Sequence, residues 1–445
     1  MKALAALLLA AAAGCSTLPT ISPDPGRSTG PVRLDGARGP LSAQQSRAVL
    51  ARLASRGEET SIFDRHLALE GEIAGSPLVV GNRVTLLKDG PATYAAMFAA
   101  IAGARDHIHM ETYIIEDDEV GERFAAALIA GRARGVRVSL IYDAVGSVGT
   151  PGSFFRRLGD AGVEVLSFNT VNPNHRDHRK ILIVDGRTAF VGGVNISSVY
   201  SAGSSRKSSS AASEAGPRWR DTHLRIEGPV VAEFQKLFVA TWEKQGGAPL
   251  AARVAFPQQA SPGREVVRAI ASSPDEPYSL VYATLMSAIA SAETGVYLTN
   301  AYFVPDPQLL KALMDAARRG VDVKLVLPRR TDSWLVFHAG RARFEDLLEA
   351  GVKIYARRDA MLHAKTAVVD GVWSTVGSSN LDWRSFLHNE EVMAIVVGQE
   401  FGAQMQDMFG ADVAESEAIT LEAWQRRPFS DRMREAVAQV WRYWL

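Results

Sequence analysis

The chain has 445 residues, and its 49 lysines and arginines balance its 49 aspartates and glutamates, so the formal net charge is zero. Balanced charge argues against a general nucleic-acid coat protein, although a local basic cleft remains compatible with it. The single cysteine excludes an internal disulfide and a zinc site made of several cysteines. The length predicts two or three domains of about 150 residues each.

The N-terminus has the order of a secretory signal: Lys2, an apolar run over residues 3–13, and then small residues. The run has 11 residues, whereas a helix needs about 20 to span a bilayer. Small residues 12–14 lead directly into Cys15, so the segment resembles the lipobox of bacterial lipoproteins. That resemblance implies a signal peptide over 1–15 that is cut before Cys15, with lipid attached to its sulfur. Ordinary cleavage near Ala13, giving a soluble secreted protein, is the alternative.

The implied lipoprotein has a predicted location and a predicted tether. Ser16 follows the cysteine, and a residue other than aspartate there goes with outer-membrane sorting in Gram-negative lipoproteins. We therefore expect a lipid-anchored protein of the bacterial cell envelope, on the outer membrane and facing the periplasm. Residues 18–45 are rich in proline, glycine and serine. We therefore expect 16–60 to form a flexible tether and N-terminal segment.

The body of the chain contains one unit twice. Both copies carry H-x-K-x4-D followed by G-x2-N, and every matched pair has the same offset in residue number, as from 178 to 363. The shared residues are His178, Lys180, Asp185, Gly192 and Asn195 in the first copy and His363, Lys365, Asp370, Gly377 and Asn380 in the second. An exact repeat of this length predicts two copies of one folding unit.

Helices and strands alternate around each motif. Residues 135–142 match 320–327 at the same offset of 185. In the second copy, Asp306 and Pro307 predict the start of a helix, and Gly320 predicts its end. Its apolar stripe comprises Leu309, Leu310, Leu313, Ala316 and Ala317. Strands and helices in this alternation predict an α/β fold, with the two units packed as a pseudo-twofold pair.

Two hairpin turns and one insertion complete the pattern. Asp185-Gly186 and Asp370-Gly371 predict the turns. Further along, Asp221 matches Glu391 at an offset of 170, so the first copy holds 15 extra residues. They fall in the Ser/Ala-rich stretch Ser201–Pro217, which we interpret as a surface insertion, with a lid over the site as the alternative. The predicted domains are 61–245 and 271–445, joined by a linker over 246–270.

The repeated residues suit phosphoryl transfer. Histidine and lysine two apart on a strand face the same side, so two facing copies gather two histidines and two lysines. A neutral histidine can attack phosphorus while a protonated one donates to the leaving alkoxide. Lysines 180 and 365 and the amides of Asn195 and Asn380 can hold the non-bridging oxygens.

The two H-x-K-x4-D motifs resemble those of the phospholipase D superfamily, and their surroundings are similar to its bacterial cardiolipin synthase branch. The resemblance implies two α/β/α sandwich domains and a covalent phosphohistidine. By analogy, His178 is the nucleophile and His363 the acid and base. It further implies that Asp221 and Glu391 orient the opposite histidines. Asp185 and Asp370 complete the catalytic motif, and we favour for them a structural role at the turn.

The expected activity is transfer of a phosphatidyl group from a phospholipid donor to the head-group hydroxyl of phosphatidylglycerol. Three alternatives stay open: a phospholipase D with water as acceptor, a phosphodiesterase acting on nucleic acid, and an inactive scaffold. Neutral charge and the anchor disfavour nucleic acid as a partner. The predicted partners are phospholipid substrates and the membrane surface. No metal or cofactor is predicted, because the lysines supply the positive charge, and whether the chain has a protein partner stays open.

Six further residues have weaker predictions. His175 lacks a lysine at the right spacing and is placed at the rim of the site. Trp334, Phe337 and His338 line either an entrance or merely the apolar face of a helix. Glu111 and its neighbour Tyr113 line the floor of the site or pack within a strand, with packing favoured.

Overall fold

The computed structural model describes residues 32–54, 75–168, 174–204, 218–250 and 256–445, with Ile62, His66, Leu67 and Gly71 between the first two ranges. The predicted signal peptide, Cys15 and residues 205–217 of the insertion lie outside the described residues. Within these ranges, no helix is both long enough and apolar enough to cross a membrane.

The strands of the described residues are β1 Leu34–Gly36, β2 Gly39–Pro40, β3 Leu78–Lys88, β4 His107–Thr112, β5 Arg137–Asp143, β6 Glu164–Phe168, β7 Arg176–Asp177, β8 Lys180–Val184, β9 Thr188–Gly192, β10 Trp219–Arg220, β11 Thr222–Glu227, β12 Glu265–Ser272, β13 Gly295–Asn300, β14 Asp322–Pro328, β15 Lys353–Arg357, β16 Met361–Leu362, β17 Lys365–Val369, β18 Trp373–Gly377, β19 Asn389–Val397 and β20 Ser416–Ile419.

The helices are α1 Ala43–Ala54, α2 Asp89–Gly103, α3 Glu119–Ala133, α4 Gly152–Asp160, α5 Val231–Lys244, α6 Leu280–Ser291, α7 Pro307–Arg318, α8 Trp334–Arg341, α9 Phe344–Glu349, α10 Trp383–Leu387, α11 Gln399–Ala414, α12 Leu421–Gln425 and α13 Phe429–Gln439. Short 3-10 turns lie at Ser198–Tyr200 and Arg442–Trp444.

Each half contains a sheet with the same order of strands. In the first, the strand order is β6-β5-β4-β8-β9-β11-β3, and in the second it is β15-β14-β13-β17-β18-β19-β12. In each sheet the first three strands are parallel and the others antiparallel. Strands β3 and β12 pair with each other and join the halves. The duplicated α/β fold is therefore confirmed.

Strand register reproduces both offsets found in the sequence. The motif strands β8 and β17 begin at Lys180 and Lys365, the equivalent residues of the two copies. Gly192 pairs with His223, and Gly377 pairs with Met393, so the glycines differ by 185 in number and their partners by 170. The carboxylates Asp221 and Glu391 consequently occupy equivalent places in the two halves.

Helix α7 illustrates how the sequence sets an element. The Asp306 carboxylate accepts hydrogen bonds from the backbone N–H groups of Gln308 and Leu309, and Pro307 is the first helical residue. The predicted stripe is buried at Leu309, Leu310, Leu313 and Ala316. Because this face covers strands of the second sheet, the helix is held against the core.

Helices cover both faces of each sheet. Aromatic and aliphatic side chains of α2, α3 and α4 pack on one face of the first sheet, and those of α6, α7 and α9 pack on one face of the second. The other faces share a single core with α5 and α11, in which Val191 and Leu224 of one half join Val376 and Val392 of the other. The halves therefore form one body with a common hydrophobic core.

Two predicted boundaries differ from the structure. Part of the tether predicted over 16–60 is ordered, because β1 pairs with β3 and Leu34 is buried in the core of the second half. The linker predicted over 246–270 includes the first six residues of β12, whose Val266 and Val267 are buried. In both segments, a few apolar side chains that enter a core outweigh a polar or irregular local composition.

Candidate active site

Two very short strand pairs bring the halves together at the motifs. Strand β7 runs parallel to the start of β19, and β10 runs parallel to β16. One residue beyond each pair, His178 lies opposite Glu391 and His363 lies opposite Asp221. Backbone hydrogen bonds continue there, since His178 N donates to Glu390 O at 3.0 Å and His363 N donates to Arg220 O at 2.8 Å.

Each histidine is therefore held by a carboxylate of the other half. His363 Nδ1 lies 2.7 Å from Asp221 Oδ2, and His178 Nδ1 lies 3.0 and 3.1 Å from the two oxygens of Glu391. All four side chains are buried. A carboxylate at Nδ1 fixes the tautomer with the proton on that nitrogen and leaves Nε2 for chemistry.

The surroundings of the two carboxylates differ. Asp221 accepts from Thr222 N at 2.7 Å and lies against Gly193, where a side-chain Cβ would come within 2.2 Å of its Oδ1. At the equivalent place in the second half stands Ser378, whose hydroxyl donates to Glu391. A glycine therefore gives Asp221 room, whereas a serine hydroxyl adds a bond to Glu391.

Burial and charge set the protonation states. Burial lowers the pKa of His178 to about 4 against the opposing effect of Glu391, and burial also lowers the pKa of His363. Burial raises the pKa of the Glu391 carboxyl, but His178 and Lys180 outweigh it and bring that pKa to about 2. The same balance, with His363, lowers the pKa of Asp221. Near neutral pH the site thus holds neutral imidazoles against ionised carboxylates.

The two lysines are buried beside the histidines. Lys180 Nζ donates to His178 O at 2.6 Å, and Lys365 Nζ donates to His363 O at 2.5 Å. Burial lowers the pKa of Lys180 to about 7 and that of Lys365 to about 8, although nearby carboxylates oppose the shift. An anionic phosphodiester would favour the charged forms, so both lysines are suited to stabilise phosphate oxygens.

Both motif asparagines, Asn195 and Asn380, lie at the cavity between the histidines. Asn195 and Asn380 are buried in the wall of a cavity of about 450 Å³ that both histidines also line. Asn195 Nδ2 donates to Tyr200 OH at 3.1 Å. Within the part of the chain that the structure describes, neither amide oxygen has a hydrogen-bond partner.

Aromatic rings form much of the cavity wall. The Tyr113 ring lies 5.0 Å from that of His178, and the Trp219 ring lies 5.4 Å from that of His363. Tyr200 OH lies 3.2 Å from His363 Nδ1. Burial raises the pKa of the Tyr200 hydroxyl. Tyr302 completes this part of the wall. Among the described residues, no three His, Cys, Asp or Glu side chains are grouped as metal ligands.

The motif aspartates do not join the cavity. Asp185 and Asp370 follow the far ends of β8 and β17, in the hairpin turns, with φ of 54° and 50°. The Asp185 carboxylate accepts from the backbone N–H groups of residues 105–107, and that of Asp370 accepts from those of residues 293–295. This geometry sets them apart from the catalytic residues and fits the structural role favoured from the sequence, because their carboxylates join each turn to the start of the neighbouring strand.

The weaker predictions agree with the structure only in part. His175 is buried rather than at a rim, with Nε2 3.0 Å from Glu390 Oε1. Glu111 is buried near Arg179 and Thr241, away from the cavity wall, whereas its neighbour Tyr113 lines the cavity. The His338 ring contacts those of Trp334 and Phe337 within α8, and the neighbouring Ser333 and Val336 line the cavity in their place.

Several cavity residues were not predicted from the sequence. Tyr200, Trp219 and Tyr302 contact the catalytic region, and Arg176 and Arg384 line the wall. One signal was available: Tyr113 and Tyr302 stand at matching places in the two copies. The others have no counterpart of the same type, so the repeat could not reveal them.

Comparison with known proteins identifies relatives over most of the chain. A family model described as "Cardiolipin synthase, PLD-like domain" matches residues 97–207 and 285–413. A cardiolipin synthase of Geobacillus sp. (strain WCH70) is 36% identical over 387 residues, covering 84% of this chain and 74% of that protein. A cardiolipin synthase of Listeria monocytogenes serotype 4a (strain HCC23) is 35% identical over 376 residues, covering 82% of this chain and 76% of that protein.

Solved structures share the fold at low sequence identity. The phosphatidylserine synthase of Haemophilus influenzae Rd KW20 superposes with a TM-score of 0.64 and 12% identity, covering 81% of this chain and 95% of that one. A polyphosphate kinase of Porphyromonas gingivalis gives a TM-score of 0.51 and 12% identity, covering 80% of this chain and 52% of that one. With two matched segments and more than a third of the residues identical to those of relatives over most of both chains, the protein belongs to the cardiolipin synthase family of phospholipase D-like proteins.

Proposed function

We propose that the protein is a phosphatidyltransferase of cardiolipin synthase type that moves a phosphatidyl group from one phosphatidylglycerol to another. The observation that carries the proposal is the crossed arrangement of His178 with Glu391 and His363 with Asp221 around one cavity. A cavity of about 450 Å³ lies within the size range of small-molecule sites. It can admit a phosphodiester head group while the acyl chains stay outside.

The first step forms a covalent intermediate. His178 Nε2 attacks the phosphorus of the donor, and the bond from phosphorus to the glycerol head group breaks. His363 Nε2, protonated when the anionic substrate is bound, gives its proton to the departing glycerol oxygen. Lys180, Lys365 and the asparagine amides stabilise the charge on the non-bridging oxygens.

The second step transfers the phosphatidyl group. His363, now neutral, takes the proton of a hydroxyl on the second phosphatidylglycerol, and that oxygen attacks phosphorus. The bond from phosphorus to His178 breaks, which releases cardiolipin and restores the enzyme. Two successive in-line displacements leave the configuration at phosphorus unchanged.

Product analysis tests the proposal. Purified protein is incubated with phosphatidylglycerol in mixed micelles, and the lipids are identified by mass spectrometry. We expect cardiolipin and an equal amount of glycerol, with both products lost in His178→Ala and His363→Ala variants that keep the wild-type circular dichroism. Formation of phosphatidic acid without cardiolipin would show that the reaction is hydrolysis rather than transfer. Near-wild-type turnover in either histidine variant would contradict the two-histidine scheme.

The anchor and location are a separate part of the proposal. The lipobox-like segment at Cys15 supports a lipid-anchored protein on the periplasmic side of the outer membrane. Metabolic labelling with a fatty acid should mark the wild-type protein and not Cys15→Ser. Fractionation of the two bacterial membranes should then recover the labelled protein with the outer one. Equal labelling of both proteins would remove Cys15 as the attachment site.

A further inference from the structure

The C-terminal helix α13 exposes a continuous apolar face. Phe429, Met433 and Val437 of the helix are exposed, and so are Val440 and Trp441 directly after its last residue, with Phe429 at 74% and Val440 at 78%. Their spacing of four, four, three and one residues places them on one side of a helix. Single exposed apolar residues are ordinary, but a contiguous set on one element indicates an interaction site. We call these five residues the apolar face of α13.

The opposite side of the same helix is firmly packed. Ala438 is buried in a small core with Ala339 of α8, and Gln439 Nε2 donates to Ala339 O. Glu435 is buried and pairs with Arg427 at 3.0 Å. Because the packed side fixes the orientation of the helix, its apolar face is held outward rather than exposed by fraying.

The apolar face continues to the mouth of the active-site cavity. Beyond Trp441 the chain turns, and Trp444 and Leu445 line the cavity. Leu445 O accepts from Arg384 N at 2.8 Å, which joins this segment to another part of the cavity wall. Helix α8, on which α13 packs, carries Trp334 at half exposure beside the cavity residue Ser333. The exposed apolar residues are therefore followed, within a few residues of Trp441, by side chains that line the cavity.

The segment that carries this surface has a small excess of positive charge. Residues 421–445 contain five arginines and three acidic residues, although the whole chain is neutral. Arg432 and Arg434 are exposed next to the apolar face, and Arg434 pairs with Asp431 at 3.1 Å. Exposed tryptophan and phenylalanine flanked by arginine is the composition of a helix that lies in the interface of an anionic bilayer.

We propose that the apolar face of α13 inserts into the surface of an anionic phospholipid bilayer and presents the mouth of the cavity to the lipid head groups. This inference rests on the proposed function, because only a lipid substrate requires the cavity to face a membrane. A bilayer is favoured over a second copy of the chain, since a symmetric pair would bring like-charged arginine flanks together. Docking at α13 is distinct from an anchor at Cys15, which would tether the protein without orienting it.

A fluorescent label at the apolar face tests the docking directly. Cys15 is the only cysteine, so Cys15→Ser gives a full-length background in which Val437→Cys can be labelled with an environment-sensitive dye. Addition of phosphatidylglycerol vesicles should shift its emission to the blue, whereas phosphatidylcholine vesicles should have a much smaller effect. The matched control is Gln406→Cys, an exposed position on α11 beside the hairpin turn at Gly371. Equal responses at both positions, or a shift caused by raising the protein concentration without vesicles, would overturn the proposal.

Charge substitutions give a second measurement in the same Cys15→Ser background. Val437→Glu with Val440→Glu should lower partition onto phosphatidylglycerol vesicles by about tenfold and lower vesicle-based turnover to a similar extent. Turnover of a short-chain phosphatidylglycerol dispersed as monomers should stay within about twofold. The control pair is Ala403→Glu with Gln406→Glu, which has the same spacing on the exposed side of α11. Unchanged partition in the α13 variant, or an equal loss in the control pair, would refute the docking.

The two proposals can fail independently. If the label at position 437 shifts but no cardiolipin forms, docking stands and the proposed reaction is wrong. If cardiolipin forms and the label does not respond, the reaction stands and docking by α13 is wrong.

Discussion

His363 Nδ1 lies 2.7 Å from Asp221 Oδ2, although the two residues are 142 positions apart and belong to different halves of the molecule. His178 and Glu391 repeat the relationship in the opposite sense. Neither half therefore contains a complete histidine–carboxylate pair. The common core holds the halves together, and relative movement of the halves would separate both pairs.

The crossed pairs predict which variants behave alike. Asp221→Asn keeps the shape of the side chain but removes the charge that stabilises the protonated form of His363. We expect kcat to fall about 10²- to 10⁴-fold with little change in the melting temperature. Asp221 acts on His363, which belongs to the other half. The amount of phosphohistidine that accumulates in Asp221→Asn should therefore match the amount in His363→Ala. Glu391→Gln should match His178→Ala. Rapid-quench kinetics with radiolabelled donor checks this.

One result would contradict this grouping of the variants. If Asp221→Asn behaves like His178→Ala, its carboxylate acts within its own half rather than across the interface. Ser379→Ala is a matched control, because this buried side chain near the motif donates to its neighbour Asn380 O rather than to either histidine. Its kcat should stay within about threefold of wild type.

The lysines predict the alkaline side of the pH profile. The pKa of Lys180 is lowered to about 7 and that of Lys365 to about 8, chiefly by burial. Each is charged below its pKa and neutral above it, so stabilisation of phosphate oxygens is lost as pH rises through this window. We expect kcat/KM to decline above about pH 7 to 8. The decline in kcat should lie at higher pH, since a bound phosphodiester raises both pKa values.

Two variants make the assignment specific. Lys365→Arg keeps its charge throughout this range, so any activity that it retains should show a decline governed by Lys180 alone. On the acidic side, protonation of His178, with a pKa of about 4, should reduce kcat/KM. Steady-state rates from pH 4 to 10, with circular dichroism at each pH, provide the measurement. A flat profile up to pH 10 would show that the lysine charges are not required.

Repetition explains how much could be predicted. His178, His363 and their lysines were found because a constant offset of 185 places identical side chains on equivalent strands. The change to an offset of 170 was enough to identify Asp221 and Glu391 as equivalent positions in the two copies. Both results depend only on alignment of one half with the other, which the sequence contains.

What was missed depends on contacts that differ between the halves. Tyr200 reaches His363 Nδ1 from a 3-10 turn that follows the first motif, and Ser385 stands at the equivalent position after the second motif. Arg384 enters the cavity wall through α10 and the C-terminal segment. These positions arise from packing across the interface, where no periodicity in the chain indicates which side chains meet.

The motif aspartates predict stability effects without a catalytic defect. Asp185→Ala removes the acceptor for three backbone N–H groups and places alanine at positive φ. We expect the free energy of unfolding to fall by about 1 to 3 kcal/mol. Asp185→Asn should cost less, because asparagine accepts hydrogen bonds and tolerates this backbone conformation. Chemical denaturation and kcat, measured at a temperature where both variants are folded, would test it. A large kcat loss in folded Asp185→Asn would restore a direct chemical role.

The buried lysines should reduce stability in exchange for activity. With its pKa lowered to about 7, Lys180 binds its proton less tightly in the folded protein than in the unfolded chain, where the pKa is about 10.4. The charged form therefore costs folding free energy in full below about pH 7, and the cost shrinks as pH rises toward 10. Lys180→Met fills a similar volume without charge. It should abolish turnover while raising the free energy of unfolding by about 1 to 2 kcal/mol at pH 6. Denaturation at pH 6 and pH 9 should show a smaller gain at the higher pH. Exposed Lys311→Met on α7 should show no such trend, and a destabilised Lys180→Met at pH 6 would mean that the Lys180 bond to His178 O outweighs the cost of burial.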